Sequence, residues 1–201
     1  MAAPIVKICG ATSIDEALAI VRAGADAVGL NFWSGSPRRV SVELAAEIAG
    51  ALPESVWTVG VFVDADPIEI ERVRGRVRLT VVQLHGHETA EVCARLGRGV
   101  WKAVRRLDEV GAYGCDAYVL DAASGEAPGG TGIRVDPELA VQAALRARVV
   151  LAGGLTPENV GDAVRLVRPW GVDVASGVEA RPGVKDPGKV EAFVRAAKGA
   201  A

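Results

Sequence analysis

Eight short, β-rich apolar runs alternate along the chain with segments of helical period, and this alternation limits the possible folds most sharply. Strands are predicted near 5–9, 27–32, 57–63, 79–84, 100–104, 117–121, 148–153 and 172–176. Helices are predicted near 13–23, 41–52, 67–75, 88–97, 137–146, 157–168 and 187–198. The interval 105–115 is too short and too Gly-rich for a helix. Strands that alternate with helices imply a parallel sheet with right-handed crossovers. Eight strands at about 25 residues per unit predict a single small (β/α)8 barrel over 1–201, with a degenerate fifth helix. A doubly wound sheet fits less well, because it usually has fewer strands. A weak repeat supports the barrel: "GADAVGL" (24–30), "GCDAYVL" (114–120) and "GVDVASG" (171–177) each lead a strand with Gly-x-Asp.

Half of the residues are hydrophobic, 50% of the chain, which suffices for one sizeable core. A formal charge of -2 carries no electrostatic footprint for nucleic acid, and no basic run suits a membrane surface. The N-terminus lacks the basic start and apolar stretch of a signal peptide. No apolar segment approaches the roughly 20 residues of a membrane helix. Cys9, Cys93 and Cys115 are odd in number and widely spaced, so neither a disulfide framework nor a zinc pattern fits, and a reducing cytoplasm is expected. The sequence leaves the oligomeric state, monomer or homodimer, open.

In such barrels the working groups sit at the C-terminal ends of strands and in the loops that follow. "VKICG" (6–10) ends the first strand. Side chains alternate along a strand, so Ile5, Lys7 and Cys9 share a face. Cys9 is either a small buried filler or a nucleophile or base, and the Lys7 ammonium favours its thiolate. Asp121 closes "YVLD" and is either a cap or a working carboxyl. Asp26 and Asp116 lie at strand entries and read as structural, as do Cys93 and Cys115. Asp173 fits two readings equally, another strand-entry residue or a lumen partner for Lys7. Gln83 and His85 end the fourth strand on one face, whereas His87 falls in the loop. Two histidines without an acidic partner at ligand spacing do not predict a metal site. Gly153 and Gly154 in "AGGLTPENV", with Ser176 and Gly177 in "ASGVE", suit a phosphate cradle after strands seven and eight. Two arginines in "SGSPRRVS" (34–41) can hold a carboxylate in a fork.

Taken in order, "VKICG" with Thr12, "GADAVGLNF", "PRRVS", "VGVFVD", "VQLHG", "VLD", "GGTG" (129–132), "LAGGLTPENV" and "VDVASGVE…PGVKD" resemble the phosphoribosylanthranilate isomerase family of tryptophan biosynthesis. The resemblance spans nearly the whole chain. It implies a (β/α)8 barrel and an Amadori rearrangement of an aminoaldose phosphate. It assigns the general base to Cys9, the general acid to Asp121 and the grip on the anthranilate carboxylate to Arg38 rather than Arg39. It places Gly153, Gly154, Ser176 and Gly177 on the phosphate. Gln83, His85, Lys7 and Asp173 are expected to bind substrate. No metal or organic cofactor is implied, because the substrate nitrogen is the electron sink, and the implied partner is a small phosphosugar. After "GGTG" the chain departs from the family pattern, with Ile133–Pro137 where Lys-Thr-Phe-Asp-Trp is usual. The stretch 121–128 is expected to form a lid.

Three other functions compete. A Schiff-base aldolase would use Lys102 or Lys7 as nucleophile. A phosphosugar-binding barrel would keep the glycine loops without needing Cys9 and Asp121 together. Dual use in histidine biosynthesis usually brings two similar halves with paired aspartates, which this chain lacks.

Overall fold

Every predicted strand forms, and the chain end of the sheet meets its beginning. The computed structural model describes residues 3–121 and 136–200. The expected lid beyond Asp121, the "GGTG" segment and residues 133–135 lie outside the described residues. The strands are β1 (Ile5–Cys9), β2 (Ala27–Asn31), β3 (Trp57–Phe62), β4 (Val81–Leu84), β5 (Val100–Val104), β6 (Ala117–Leu120), β7 (Val149–Leu151) and β8 (Gly171–Val174). They pair in parallel in sequence order, and β8 closes on β1 with Lys7 opposite Asp173.

The helices are α1 (Ile14–Arg22), α2 (Val42–Ala51), α3 (Pro67–Val77), α4 (Ala90–Leu96), α5 (Pro137–Arg146), α6 (Val160–Val167) and α7 (Pro187–Lys198). Between β5 and β6 a single 3-10 turn, Leu107–Glu109, replaces the helix, as the sequence predicts. Local chemistry starts the helices where they start. Ser13 and Ser41 accept the backbone N–H groups of Glu16 and Leu44. Three Asp-Pro pairs, at 66–67, 136–137 and 186–187, open α3, α5 and α7. There the carboxylate takes an orphan N–H and the proline's fixed φ suits the first helical position. One element escapes the sequence reading: a small antiparallel hairpin, β9 (Glu179–Arg181) with β10 (Val184–Lys185), after β8.

Two apolar layers follow from the period-2 pattern of the strands. Outward residues such as Val6, Ile8, Leu30, Val82 and Leu120 pack under the helices. Inward residues, including Val59, Val81, Trp101, Val119 and Val150, fill the bore. Trp57, Trp101 and Trp170 meet at the N-terminal end with ring centroids 5.7–6.1 Å apart. Such aromatic contacts contribute about 0.5–1.5 kcal/mol each beyond area burial, and here they close the lower mouth.

The Gly-x-Asp repeat divides as its positions require. Asp26 accepts the Val6 N–H at 2.8 Å and Asp116 accepts that of Gly99 at 2.6 Å, so both staple strand entries. Asp173 lies inside β8 instead, and its carboxylate takes the Lys7 ammonium at 2.8 Å. The lumen pair is therefore the correct reading of the two.

Candidate active site

At the C-terminal end of the barrel a cavity of about 290 Å³ opens, and its wall carries most of the residues singled out in the sequence. Cys9, Arg38, Gln83, His85, Asp121, Gly153, Gly154, Asp173, Ser176 and Gly177 all line it. Asn31 and Trp33, on the inward side of the end of β2, line it too and were not singled out. Their alternation with Gly29 was the available signal.

Cys9 closes β1 and is 8% exposed. Its placement depends on two glycines. A Cβ on Gly29, opposite on β2, would lie 2.8 Å from the Cys9 sulfur. Gly10 adopts φ +86°, and a Cβ there would lie 2.5 Å from Cδ of Arg38. The residue after the cysteine thus has to be glycine both for its backbone and for the arginine stem lying over it.

Beneath Cys9 stands the Lys7–Asp173 pair. Lys7 is 0% exposed and is absent from the cavity wall. Lys7 was expected to bind substrate; here its ammonium bonds Asp173 and acts on Cys9. Burial works to lower the Lys7 pKa, but the Asp173 carboxylate and Cys9 more than reverse this, and the group is held above its ordinary value. Burial pushes the Cys9 thiol up, Lys7 pulls it down without cancelling, and Asp173 adds to the rise. The sequence suggested that Lys7 favours the thiolate. Its influence has that sign, but burial in the floor outweighs it.

Across the cavity, Asp121 follows β6 and is also buried. His85 Nε2 lies 3.1 Å from Asp121 Oδ2, and His85 Nδ1 lies 3.0 Å from Gln83 Nε2. Sequence reasoning found no acidic partner at ligand spacing because Asp121 lies 36 residues beyond His85. His87 turns to the surface and bonds Asp64.

The glycine loops come together above β7 and β8. Gly153 and Gly154 adopt φ +74° and +66°. Asn159 ties this loop down, donating to the Gly154 carbonyl at 2.9 Å and accepting from Thr156 N–H at 2.8 Å. A Cβ on Gly177 would lie 2.0 Å from the Leu155 carbonyl oxygen, so the second loop packs directly on the first. Backbone N–H groups can approach an anion closely in such a cradle.

Arg38 faces the cavity while Arg39 is exposed outside it. The Arg38 guanidinium already holds one carboxylate: Glu179, at 2.6 Å through Nε and 2.8 Å through Nη2. This partner was not foreseen, since the residue lies 141 positions away in the unpredicted hairpin. Glu179 also accepts from Lys185 at 2.9 Å. Burial works to raise the Glu179 pKa, but the two cations prevail and hold it below the usual carboxylate value.

Lys102 is unavailable as a Schiff-base nucleophile. It lies between inward-facing Trp101 and Ala103, so it points out of the bore, where Glu88 and the Gly86 carbonyl hold its ammonium at 3.0 and 2.7 Å. Cys93 is buried, and its thiol is pushed up to about 11, chiefly by burial. Among the described residues no helix is long and apolar enough to cross a membrane.

Comparison with known proteins gives one answer. The family model described as "N-(5'phosphoribosyl)anthranilate (PRA) isomerase" matches residues 6–196. An N-(5'-phosphoribosyl)anthranilate isomerase of Geotalea uraniireducens (strain Rf4) is 49% identical over 199 residues, spanning 96% of this chain and 98% of its own. The crystal structure of phosphoribosyl anthranilate isomerase from Thermotoga maritima superposes with a TM-score of 0.88 at 41% identity, covering 98% of this chain and 99% of that one. A phosphoribosyl anthranilate isomerase solved in complex with reduced 1-(o-carboxyphenylamino)-1-deoxyribulose 5-phosphate superposes at 0.85 with 40% identity, covering 98% of this chain and 99% of that one. The order of motifs, the closed barrel and these matches agree: the chain belongs to the N-(5'-phosphoribosyl)anthranilate isomerase family.

Proposed function

We infer that the protein converts N-(5'-phosphoribosyl)anthranilate to 1-(2-carboxyphenylamino)-1-deoxyribulose 5-phosphate in tryptophan biosynthesis, with Asp121 as general acid and Cys9 as general base. The observation that carries this reading is the shared cavity, with Cys9 on β1, Asp121 after β6, and the glycine loops and Arg38 at its rim. The first two steps need one proton given at the ring oxygen and one taken at C2, the two atoms that flank C1. Asp121 protonates the furanose ring oxygen as the C1–O bond breaks, and the anilino nitrogen lone pair forms an iminium. That cation acidifies the C2 hydrogen, which the Cys9 thiolate removes. The electron pair returns to nitrogen, giving an enolamine. Proton return to C1 and loss of the enol proton give the ketose, so atoms and protons balance.

Burial holds the Cys9 thiol up. The form that acts has already released this proton to solvent, and the positive iminium formed beside it favours the thiolate at the step where a base is needed. The glycine loops take the phosphate and Arg38 the carboxylate. Binding at these two remote ends aligns the sugar between acid and base. Lys7 and Asp173 serve from below. The enzyme works in the cytoplasm on a small phosphosugar, as a monomer or a homodimer. Loss of fluorescence of the anthranilate-linked substrate on mixing with purified protein tests the reading. Folded protein that leaves this substrate unchanged would rule it out.

A further inference from the structure

We propose that Glu179 is a positioning residue for substrate binding, fixing the Arg38 guanidinium as receptor for the substrate's aryl carboxylate. The proposal rests on the role given to Arg38 above. The geometry is specific. Glu179 accepts from Arg38 through both carboxylate oxygens, Oε1 from Nε and Oε2 from Nη2. Its Oε1 also accepts from Lys185, whose ammonium donates in turn to the Ala175 carbonyl at 3.0 Å, at the start of the phosphate loop. The Glu179 and Lys185 side chains are 5% and 2% exposed, and that of Arg38 is 16% exposed. A guanidinium has five N–H donors. Two bond Glu179, and the same side chain lines the cavity. A flexible arginine is thereby turned into a planar fork of fixed direction, anchored through Lys185 to the loop that holds the other end of the substrate.

Charge gives the proposal a sign. Arg38 and Lys185 against Glu179 leave one net positive charge, and Lys7 with Asp173 cancels. If Glu179 were only a counter-charge, replacing it with a neutral group would leave two positive charges near an anionic substrate, and KM would fall. If it positions Arg38, KM rises despite the added attraction.

The experiment measures kcat and KM for wild type, Glu179→Gln, Arg38→Met and the double variant. Each is assayed with N-(5'-phosphoribosyl)anthranilate and with the aniline analogue that lacks the carboxylate. Glu179→Gln should raise KM for the carboxylated substrate on the order of 10-fold, the scale of one charged hydrogen bond, with a smaller change in kcat. It should leave KM for the aniline analogue nearly unchanged, and add nothing in the Arg38→Met background. A fall in KM, an equal rise for both substrates, or a full additional rise on top of Arg38→Met overturns the proposal. If Glu179→Gln does not fold, Glu179→Asp keeps the charge but withdraws the fork by one methylene. It should show the same substrate-selective rise, and an unchanged KM overturns the proposal. Should Arg38→Met alone leave KM unchanged, the role of Arg38 itself fails, a result distinct from failure of Glu179.

Discussion

His85 Nε2 lies 3.1 Å from Asp121 Oδ2, and the Gln83 amide stands 3.0 Å behind the other ring nitrogen. The direction of these two bonds decides which Asp121 oxygen is engaged as an acceptor. A Gln83 nitrogen donating to Nδ1 leaves the ring proton on Nε2, donated to Asp121 Oδ2, and leaves Gln83 Oε1 buried without a partner. With the amide turned over, Oε1 takes an Nδ1 proton and the bare Nε2 can accept from Asp121. The second arrangement gives Gln83 Oε1 the partner it otherwise lacks. Nitrogen-15 NMR with a bound product analogue should therefore show His85 protonated on Nδ1. The Nε2–H tautomer would mean that a proton for transfer has to sit on Asp121 Oδ1. Asp121→Asn should lower kcat by about 10²–10⁴-fold, the usual contribution of a general acid.

For Cys9 the test is a substitution and a pH profile. Cys9→Ser is nearly isosteric but a far weaker acid, and kcat should fall by at least about 10²-fold with binding retained. In the free enzyme the thiol is raised, so its neutral form persists to higher pH than in an exposed cysteine. Because kcat/KM reports the free enzyme, in the Asp121→Asn background, where no carboxyl proton has to be kept, its logarithm should climb with pH through neutrality and level only beyond the ordinary thiol value of roughly 8.5. A profile already flat at pH 7 in that background would show that no thiol of the free enzyme has to ionise.

Arg38 and Arg39 are neighbours with opposite exposures, which makes them a controlled pair. Arg38→Ala should raise KM by the equivalent of about 1.5–3 kcal/mol, and Arg39→Ala should leave it within experimental error. Kinetics of both variants on one substrate settle the register. A defect confined to Arg39→Ala would move the carboxylate grip to the outer face of the loop.

The Lys7–Asp173 pair should matter asymmetrically to stability. Lys7→Met leaves a buried carboxylate uncompensated and should cost about 3–5 kcal/mol. Replacing both partners by apolar residues should recover much of that loss, although turnover stays low because Cys9 has lost its ammonium. Urea unfolding of the single and double variants checks the first part. Equal losses in both would mean that the pair's attraction, rather than the stranded charge, carries the stability.

Much of this could be read from the sequence because the relevant signals are local or periodic. Strand alternation placed Lys7 and Cys9 on one face, and the Gly-rich loops and Asp-Pro helix starts are short-range chemistry. The closed barrel then carried these local elements to one mouth. What could not be read lies in contacts between distant segments. Glu179 reaches Arg38 across 141 positions and Asp121 reaches His85 across 36. Neither spacing has a local signature. The sign of the Cys9 shift was misjudged for a related reason. A neighbouring lysine is visible in "VKICG", whereas the depth of burial depends on Gly29 of another strand and on the closure of the sheet.

The tryptophans at the foot of the barrel have a consequence for traffic. Trp57, Trp101 and Trp170 stopper that end, and Arg148 lies over the Trp170 ring from 5.8 Å away. The molecule is a cup rather than a tube. Among the described residues the foot is closed, so a bound molecule cannot be pushed through by the next one, and departure of each ketose and arrival of each aldose must take turns on the cavity side.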